Sequence, residues 1–252
     1  MRGPLSLLIS LVLLAGATAC GADDEKKDPA GKGKGQETTA TQPGTATAAT
    51  TATTARPSEP PKCRKVAAPR PKPQRRLPRP TLRLDPKRTY EAVLDTSCGQ
   101  FTIALDVKES PKTSASFVYL ARRGYFDGTT FHRVVPGFVI QGGDPQGTGQ
   151  GGPGYEVVEA PPPGTRYVKG VVAMAKTEID EPGTSGSQFY VVTGEDAQLP
   201  PDYAVLGRVT AGQDVVDLIG SLPTDQSNAD PSRRESPVNP VVIRAVRIDE
   251  RR

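Results

Sequence analysis

The richest concentration of chemistry-bearing side chains in this 252-residue sequence is Phe131-His132-Arg133-Val134-Val135-Pro136-Gly137-Phe138-Val139-Ile140-Gln141-Gly142-Gly143-Asp144. His132 is the sole histidine, and it invites a general-base role. No Ser or Cys nucleophile is arranged around it, so it reads as structural. An isolated arginine in a strand ordinarily faces water, and Arg133 gains meaning only from its place in the motif. The run Gly147–Gly154 could cradle a phosphate. It lacks a Gly-Lys-Ser/Thr ending, is broken by Pro153 and leads into an extended segment rather than a helix. One histidine and scattered carboxylates give no metal-ligand spacing, so neither a metal nor a cofactor is expected.

The elements that must hold these residues follow from pattern. Tyr90–Asp95 and Phe101–Asp106 alternate around Thr96-Ser-Cys-Gly99, a hairpin signal. Ser110-Pro111 makes an N-cap and N1 pair, Gly124 a stop, and Phe117, Val118, Leu120 and Ala121 form a helical stripe between them. Strand-like runs follow at Thr129–Val135, Phe138–Gln141, Val171–Ala175, Gln188–Thr193 and Val205–Val209, separated by Gly and Pro. A second helix fits Gln213–Leu222, and Val241–Ile248 is a closing strand. Many strands with one early and one late helix suggest a closed barrel capped at its ends.

The remainder of the chain is different in kind. Residues 1–20 read as an export signal, with Arg2 before the apolar Leu5–Ala15, too short for a transmembrane span. Ala17-Thr18-Ala19-Cys20 fits an ordinary signal-peptidase site. It also resembles a bacterial lipobox whose Cys20 is lipidated, although Ala17 stands where Leu is usual. Three cysteines are present; lipidation of Cys20 leaves Cys63 and Cys98, a pair that could form a disulfide. Residues 21–85 read as a linker: Thr/Ala-rich and disordered at first, then a basic Pro-rich spacer of about 3.1 Å per residue from about Pro60 to Pro80. It is expected to tether the domain away from the membrane, or to bind anionic wall polymer or lipid headgroups. The formal charge of +4 comes from this stretch, whose removal leaves the rest net acidic. The folded part therefore has no basic stripe for nucleic acid.

The Phe131–Asp144 motif resembles the signature of the cyclophilins. Gly147–Tyr155 is similar to that family's Gly-rich loop, Gly170–Ala175 to its central strand, Ser185–Tyr190 to its Gln-Phe-Phe segment, and Tyr203–Val209 to the strand before its second helix. The resemblance spans about residues 86–249. It implies a mainly β fold, a closed eight-stranded antiparallel β-barrel capped by two α-helices, and peptidyl-prolyl cis-trans isomerase activity on proline-containing polypeptides.

That activity suits these residue types. Amide rotation faces a barrier of about 18–20 kcal/mol and needs no nucleophile, only a donor that favours the twisted amide. By resemblance Arg133 is that donor, always charged and bearing several N–H groups. Gln141 would orient it and bind substrate backbone, with Phe138 completing the catalytic set. Phe138, Val139, Tyr190 and Leu199 would line a proline pocket, with Met174 nearby and Tyr203 also on the substrate. Ala175, Lys176 and Gln188 would hold the extended peptide. Tyr190 stands where many members have Phe, Tyr203 where the best-known have His, and Lys176 where they have Asn. Gln198 takes the position of a Trp linked to cyclosporin affinity, so weak cyclosporin binding is expected. The resulting expectation is a monomeric isomerase assisting exported proteins, anchored through Cys20 to the outer face of a bacterial membrane, or secreted. The alternatives are a non-catalytic proline-peptide-binding module or chaperone of the same fold, and a wall-associated lipoprotein whose basic linker is the working part.

Overall fold

A computed structural model describes residues 61–252 except Arg75, all within the unit Ala55–Arg252. The expected export signal at 1–20, Cys20 and residues 21–60 of the linker lie outside the described residues. The elements are β1 (Thr89–Thr96), β2 (Gly99–Leu105), α1 (Pro111–Ala121), β3 (Thr129–Thr130), β4 (Arg133–Val135), β5 (Val139–Gly142), β6 (Val157–Val158), β7 (Val171–Met174), β8 (Thr184–Ser185), β9 (Phe189–Val192), β10 (Val205–Ala211), α2 (Gln213–Gly220) and β11 (Val242–Arg251). Pro231–Arg233 adds a single 3-10 turn.

Nine strands form one antiparallel sheet in the order β3-β11-β1-β2-β10-β7-β9-β5-β4, and β6 pairs separately with β8. The ladder itself does not close, because β3 and β4 stand at its two edges. Those edges are consecutive in the chain, joined through Phe131-His132, so the sheet is curled until its ends meet covalently. The single strand expected at Thr129–Val135 is thus two: β3 pairs with β11 and β4 with β5. The partner switch falls at Phe131, whose ring is turned into the core at 1% exposure. This division turns an expected eight strands into nine.

Alternation along the strands sorts their side chains onto two faces. Ile140, Val172, Met174, Phe189, Val191 and Leu206 join the main core with Phe101, Ile103, Phe117 and Phe126. There Phe117 stacks on Phe126 with centroids 4.7 Å apart, and Phe189 meets Phe117, Phe126 and Phe131 edge-on at 5.7–6.0 Å. Each such ring contributes about 1.5–3 kcal/mol by leaving water. Helix α1 covers this core through Phe117, Val118 and Leu120, and α2 through Val215, Val216 and Ile219. Ser110 makes no side-chain cap at α1. Glu159 serves instead, its carboxylate accepting the N–H groups of Lys112 (3.1 Å) and Thr113 (2.8 Å); this satisfies orphan donors and complements the helix dipole.

Residues 61–85 carry no regular element, and they lie along the domain instead of leading away from it. Cys63 is joined to Cys98 by a disulfide, and Arg64 N–H donates to Ser97 O at 2.8 Å. Lys72 N–H reaches Pro145 O (2.9 Å) and Leu77 N–H reaches Pro153 O (2.7 Å). Lys72 Nζ donates to Asp127 O. Cys63, Leu77, Leu82 and Leu84 pack against the main core. The segment is a strap, docked on the domain from Cys63 onward and thus ahead of the expected boundary at residue 86.

Candidate active site

Strand register places the site residues in a row. Arg133 lies opposite Gln141, Gln141 opposite Tyr190, Tyr190 opposite Ala173, and Ala173 opposite Val205. Directly opposed residues share a face, so one line of side chains crosses β4, β5, β9, β7 and β10. Around it a second apolar cluster forms from Val139, Tyr167, Val171, Ala173, Tyr190 and Val192, flanked by half-buried Phe138, Ala175, Leu199, Tyr203 and Val205. Of the expected pocket residues, Phe138, Val139, Tyr190, Leu199 and Tyr203 come together here. Met174 does not: it sits one residue out of phase with Ala173, 1% exposed in the main core. Because the side-chain period of a strand is two, Met174 points away from the site and is corrected to a core residue.

Arg133 stands at the rim of this cluster, its guanidinium 6.0 Å from the Phe138 ring centroid. Its Nε–H donates to Glu235 Oε2. Glu235 belongs to a loop laid beside β4, since Val134 N–H donates to Glu235 O (2.7 Å) and Ser236 Oγ to His132 O (2.9 Å). Gln141 does not orient the arginine as expected. Its Nε2 donates to Gln188 Oε1 at 3.0 Å, and Gln188 Nε2 donates in turn to Gly149 O (2.9 Å) and Gly151 O (3.0 Å). The orienting carboxylate is Glu235, which leaves the Nη donors of Arg133 without an acceptor among the described residues.

The Gly-rich loop reached by Gln188 is held from beneath by Asp144. This fully buried carboxylate accepts from Gln146 N (2.7 Å), Thr148 N (2.8 Å) and Gly149 N (2.7 Å). Burial alone would raise its pKa; the converging backbone N–H groups outweigh that and leave it below the ordinary carboxylate value. A Cβ at Gly151 would meet Asp144 Oδ1 at 1.9 Å, so only glycine lets the loop wrap so closely. His132 packs against the same loop, and burial holds its pKa below the ordinary value, favouring the neutral ring. Among the described residues no cluster of three or more His, Cys, Asp or Glu could hold a metal.

Three tyrosines stack edge-on behind the pocket. Tyr203 lies 5.9 Å from Tyr167 and 5.6 Å from Tyr190, with interplanar angles of 87° and 86°. Tyr167 Oη donates to Tyr203 O (2.7 Å) and accepts from Tyr203 N–H (3.0 Å). Tyr190 Oη is buried with no hydrogen-bond partner among the described residues. Lys176 Nζ sits 5.5 Å from the Tyr203 ring while donating to Thr177 O and Asp180 O. Ala175 N–H is taken by Gln188 O at 2.9 Å. Beyond the apolar cluster opens a polar groove of about 590 Å³ lined by Gln141, Gly149–Gly154, Ala175, Lys176 and Gln188. Glu235 and Tyr167 went unread in the sequence: neither sits in a motif, and Glu235 is 102 residues from Arg133.

The site thus sets a fixed cation beside an apolar pocket and a polar groove on one curled antiparallel sheet. The family model described as Cyclophilin type peptidyl-prolyl cis-trans isomerase/CLD matches residues 92–248. Among curated relatives, a probable peptidyl-prolyl cis-trans isomerase A of Mycobacterium leprae is 38% identical over 175 residues, covering 62% of this chain and 91% of its own. Peptidyl-prolyl cis-trans isomerase-like 1 of Neurospora crassa is 37% identical over 164 residues, covering 64% and 96%. A Cryptosporidium parvum cyclophilin-type isomerase structure superposes with a TM-score of 0.58 at 28% identity, covering 64% of this chain and 98% of that one. A second structure of it, in the presence of the dipeptide Ala-Pro, gives 0.57 at 29%, covering 63% and 98%. The chain belongs to the cyclophilin-type peptidyl-prolyl cis-trans isomerase family.

Proposed function

We propose that this isomerase works through Arg133, by electrostatic stabilisation of a twisted X-Pro amide. The observation that carries this is the arginine's setting: anchored at Nε by Glu235, beside the Phe138 ring, with its Nη donors free at the mouth of an apolar pocket. A proline ring seated among Phe138, Val139, Tyr190, Leu199 and Tyr203 would bring its nitrogen within the reach of those donors. As the C–N bond twists, the nitrogen loses conjugation and becomes a hydrogen-bond acceptor, so a donor there binds the transition state better than the planar amide. Gln141 and Gln188, already linked, would engage substrate backbone. Removing one preorganised donor costs about 10²–10³ in rate. Arg133→Ala should therefore lower kcat/KM by about that factor in exchange NMR on an Ala-Pro peptide, with unchanged thermal unfolding. If the folded variant keeps its turnover, the assignment fails. If the natural chain binds the peptide but is inert, the docking-module reading replaces it.

The substrates of this reading are proline-containing polypeptides, in keeping with the relative's structure in the presence of the dipeptide Ala-Pro. Its place is outside the cell membrane, held by a lipid on Cys20 of the Ala17-Thr18-Ala19-Cys20 motif, with exported proteins as clients. Cys20→Ala should shift the protein from the membrane fraction to the medium; retention in the membrane fraction would sink the anchor. The protein acts as a monomer, which sedimentation tests. Gln198 gives weak cyclosporin binding, and nanomolar inhibition would refute it.

A further inference from the structure

The polar groove is not built by the family domain alone. Gln74 and Arg79 belong to its lining, and both precede residue 92, where the family match begins. The strap that carries them follows the Gly-rich loop from end to end. Lys72 N–H donates to Pro145 O before the loop, and Leu77 N–H donates to Pro153 O near the loop's far end. The contact between those anchors is close. A Cβ at Gly154, whose φ is +83°, would meet Arg76 Cα at 2.9 Å. Tyr119 Oη donates to Pro78 O at 3.2 Å and fixes the strap just before Arg79. Thus the loop is held from beneath by Asp144 and from outside by the strap, and it faces the groove between them.

The charges of the groove are unequal in their commitments. Asp180 is taken by Thr177 N–H (2.8 Å) and Thr177 Oγ1 (2.7 Å). Lys176 Nζ is bonded to backbone carbonyls. Glu156 and Arg79 are exposed, and among the described residues neither has a side-chain partner. A fork of guanidinium donors suits a carboxylate better than any other side chain. We infer that the strap is part of the substrate-binding machinery, and that Arg79 selects polypeptides with an acidic side chain flanking the X-Pro bond. Glu156 opposes that preference and limits it. The inference rests on the groove beside Arg133 being the peptide site.

The experiment is exchange NMR at low ionic strength on the full oxidised chain. It uses paired peptides that differ only in Glu or Lys flanking Ala-Pro, placed before or after it. The quantity read is the ratio of kcat/KM for Glu over Lys, resolved into kcat and KM. A partly exposed ion pair changes an equilibrium by about 1.4- to 5-fold. Arg79→Glu replaces attraction by repulsion and should lower the ratio about two- to tenfold, through KM. Glu156→Gln should raise it. Arg83→Glu makes the same charge change on the strap outside the groove lining and should leave it in place. An unmoved ratio in Arg79→Glu, or an equal shift in Arg83→Glu, overturns the inference. Arg133→Ala run on the same peptides separates the two ideas: turnover that survives it removes the underlying site, whatever the ratio does.

Discussion

Tyr190→Phe should stabilise this protein, although it deletes a polar group from the proline pocket. The Tyr190 side chain is 4% exposed, and among the described residues its buried Oη has no partner. Its neighbours cannot help: the Tyr167 hydroxyl is already committed to the Tyr203 backbone on both sides. A hydroxyl stripped of water and left unpaired costs about 1–3 kcal/mol. Phenylalanine keeps the ring and its edge contact with Tyr203, and loses only the few dispersion contacts of one oxygen. The net gain should be about 1–2 kcal/mol. At about 2–4 °C per kcal/mol for a domain of this size, Tm rises by about 2–8 °C. Calorimetry of the oxidised chain reads this at pH 7.

The same measurement at alkaline pH adds an independent check. Burial pushes the Tyr190 phenol well above its ordinary value, and raises Tyr125 and Tyr167 to about 12. An unfolded tyrosine ionises near pH 10. Above that pH the native state keeps protons the unfolded chain has released, so stability falls as pH rises, most steeply between about 10 and 12. Tyr190→Phe removes one of these groups, and its advantage over the natural chain must grow above pH 10. A variant that melts earlier at pH 7, or whose advantage stays flat through pH 11, would refute the reasoning.

Two further outcomes follow from the same contacts. Glu235→Gln keeps the shape of the side chain but loosens Arg133; since the two side chains are 34% and 42% exposed, kcat should fall about 1.4- to 5-fold with KM little changed, and Glu235→Asp should restore part of it, whereas an effect confined to KM would show that Glu235 contacts substrate. Cys63→Ser opens a link between residues 35 apart and should destabilise the oxidised chain by up to about 4 kcal/mol, read as loss of the denaturation difference between reducing and non-reducing buffer; an unchanged midpoint would show that the strap holds without the bond.

What the sequence made legible was whatever is contiguous. Phe131–Asp144 turns back on itself at Pro136-Gly137, so adjacent strands had to bring Arg133, Phe138 and Gln141 together. Met174 was misplaced for a plain reason. Val171–Met174 is apolar throughout because both faces of β7 are buried, and a continuous apolar run hides which residue faces which cluster. Glu235 was invisible because its partner is distant and its own segment, Ser232–Ser236, has no pattern. The two-residue strands β6 and β8 span a single period of two and so offer no repeat to read.

The strap shows a different blindness, that of averages. Residues 61–85 are poor in apolar side chains and rich in proline and arginine, which reads as a free spacer. Docking does not need an apolar average, however; it needs anchors at the right intervals. Leu77, Leu82 and Leu84 supply apolar ones, Cys63 a covalent one, and the N–H groups of Arg64, Lys72 and Leu77 find carbonyls on the domain. Proline lowers the cost of ordering on both counts, since its φ is already fixed and it brings no N–H that would be stranded. A Pro-rich segment is therefore among the least expensive to lay flat on a surface, provided that surface offers acceptors where the other residues fall. Here the surface is the Gly-rich loop, where Pro145 just before it and Pro153 within it present carbonyls to the N–H groups of Lys72 and Leu77. The composition that argues against folding is the one that lets this segment dock with so few contacts.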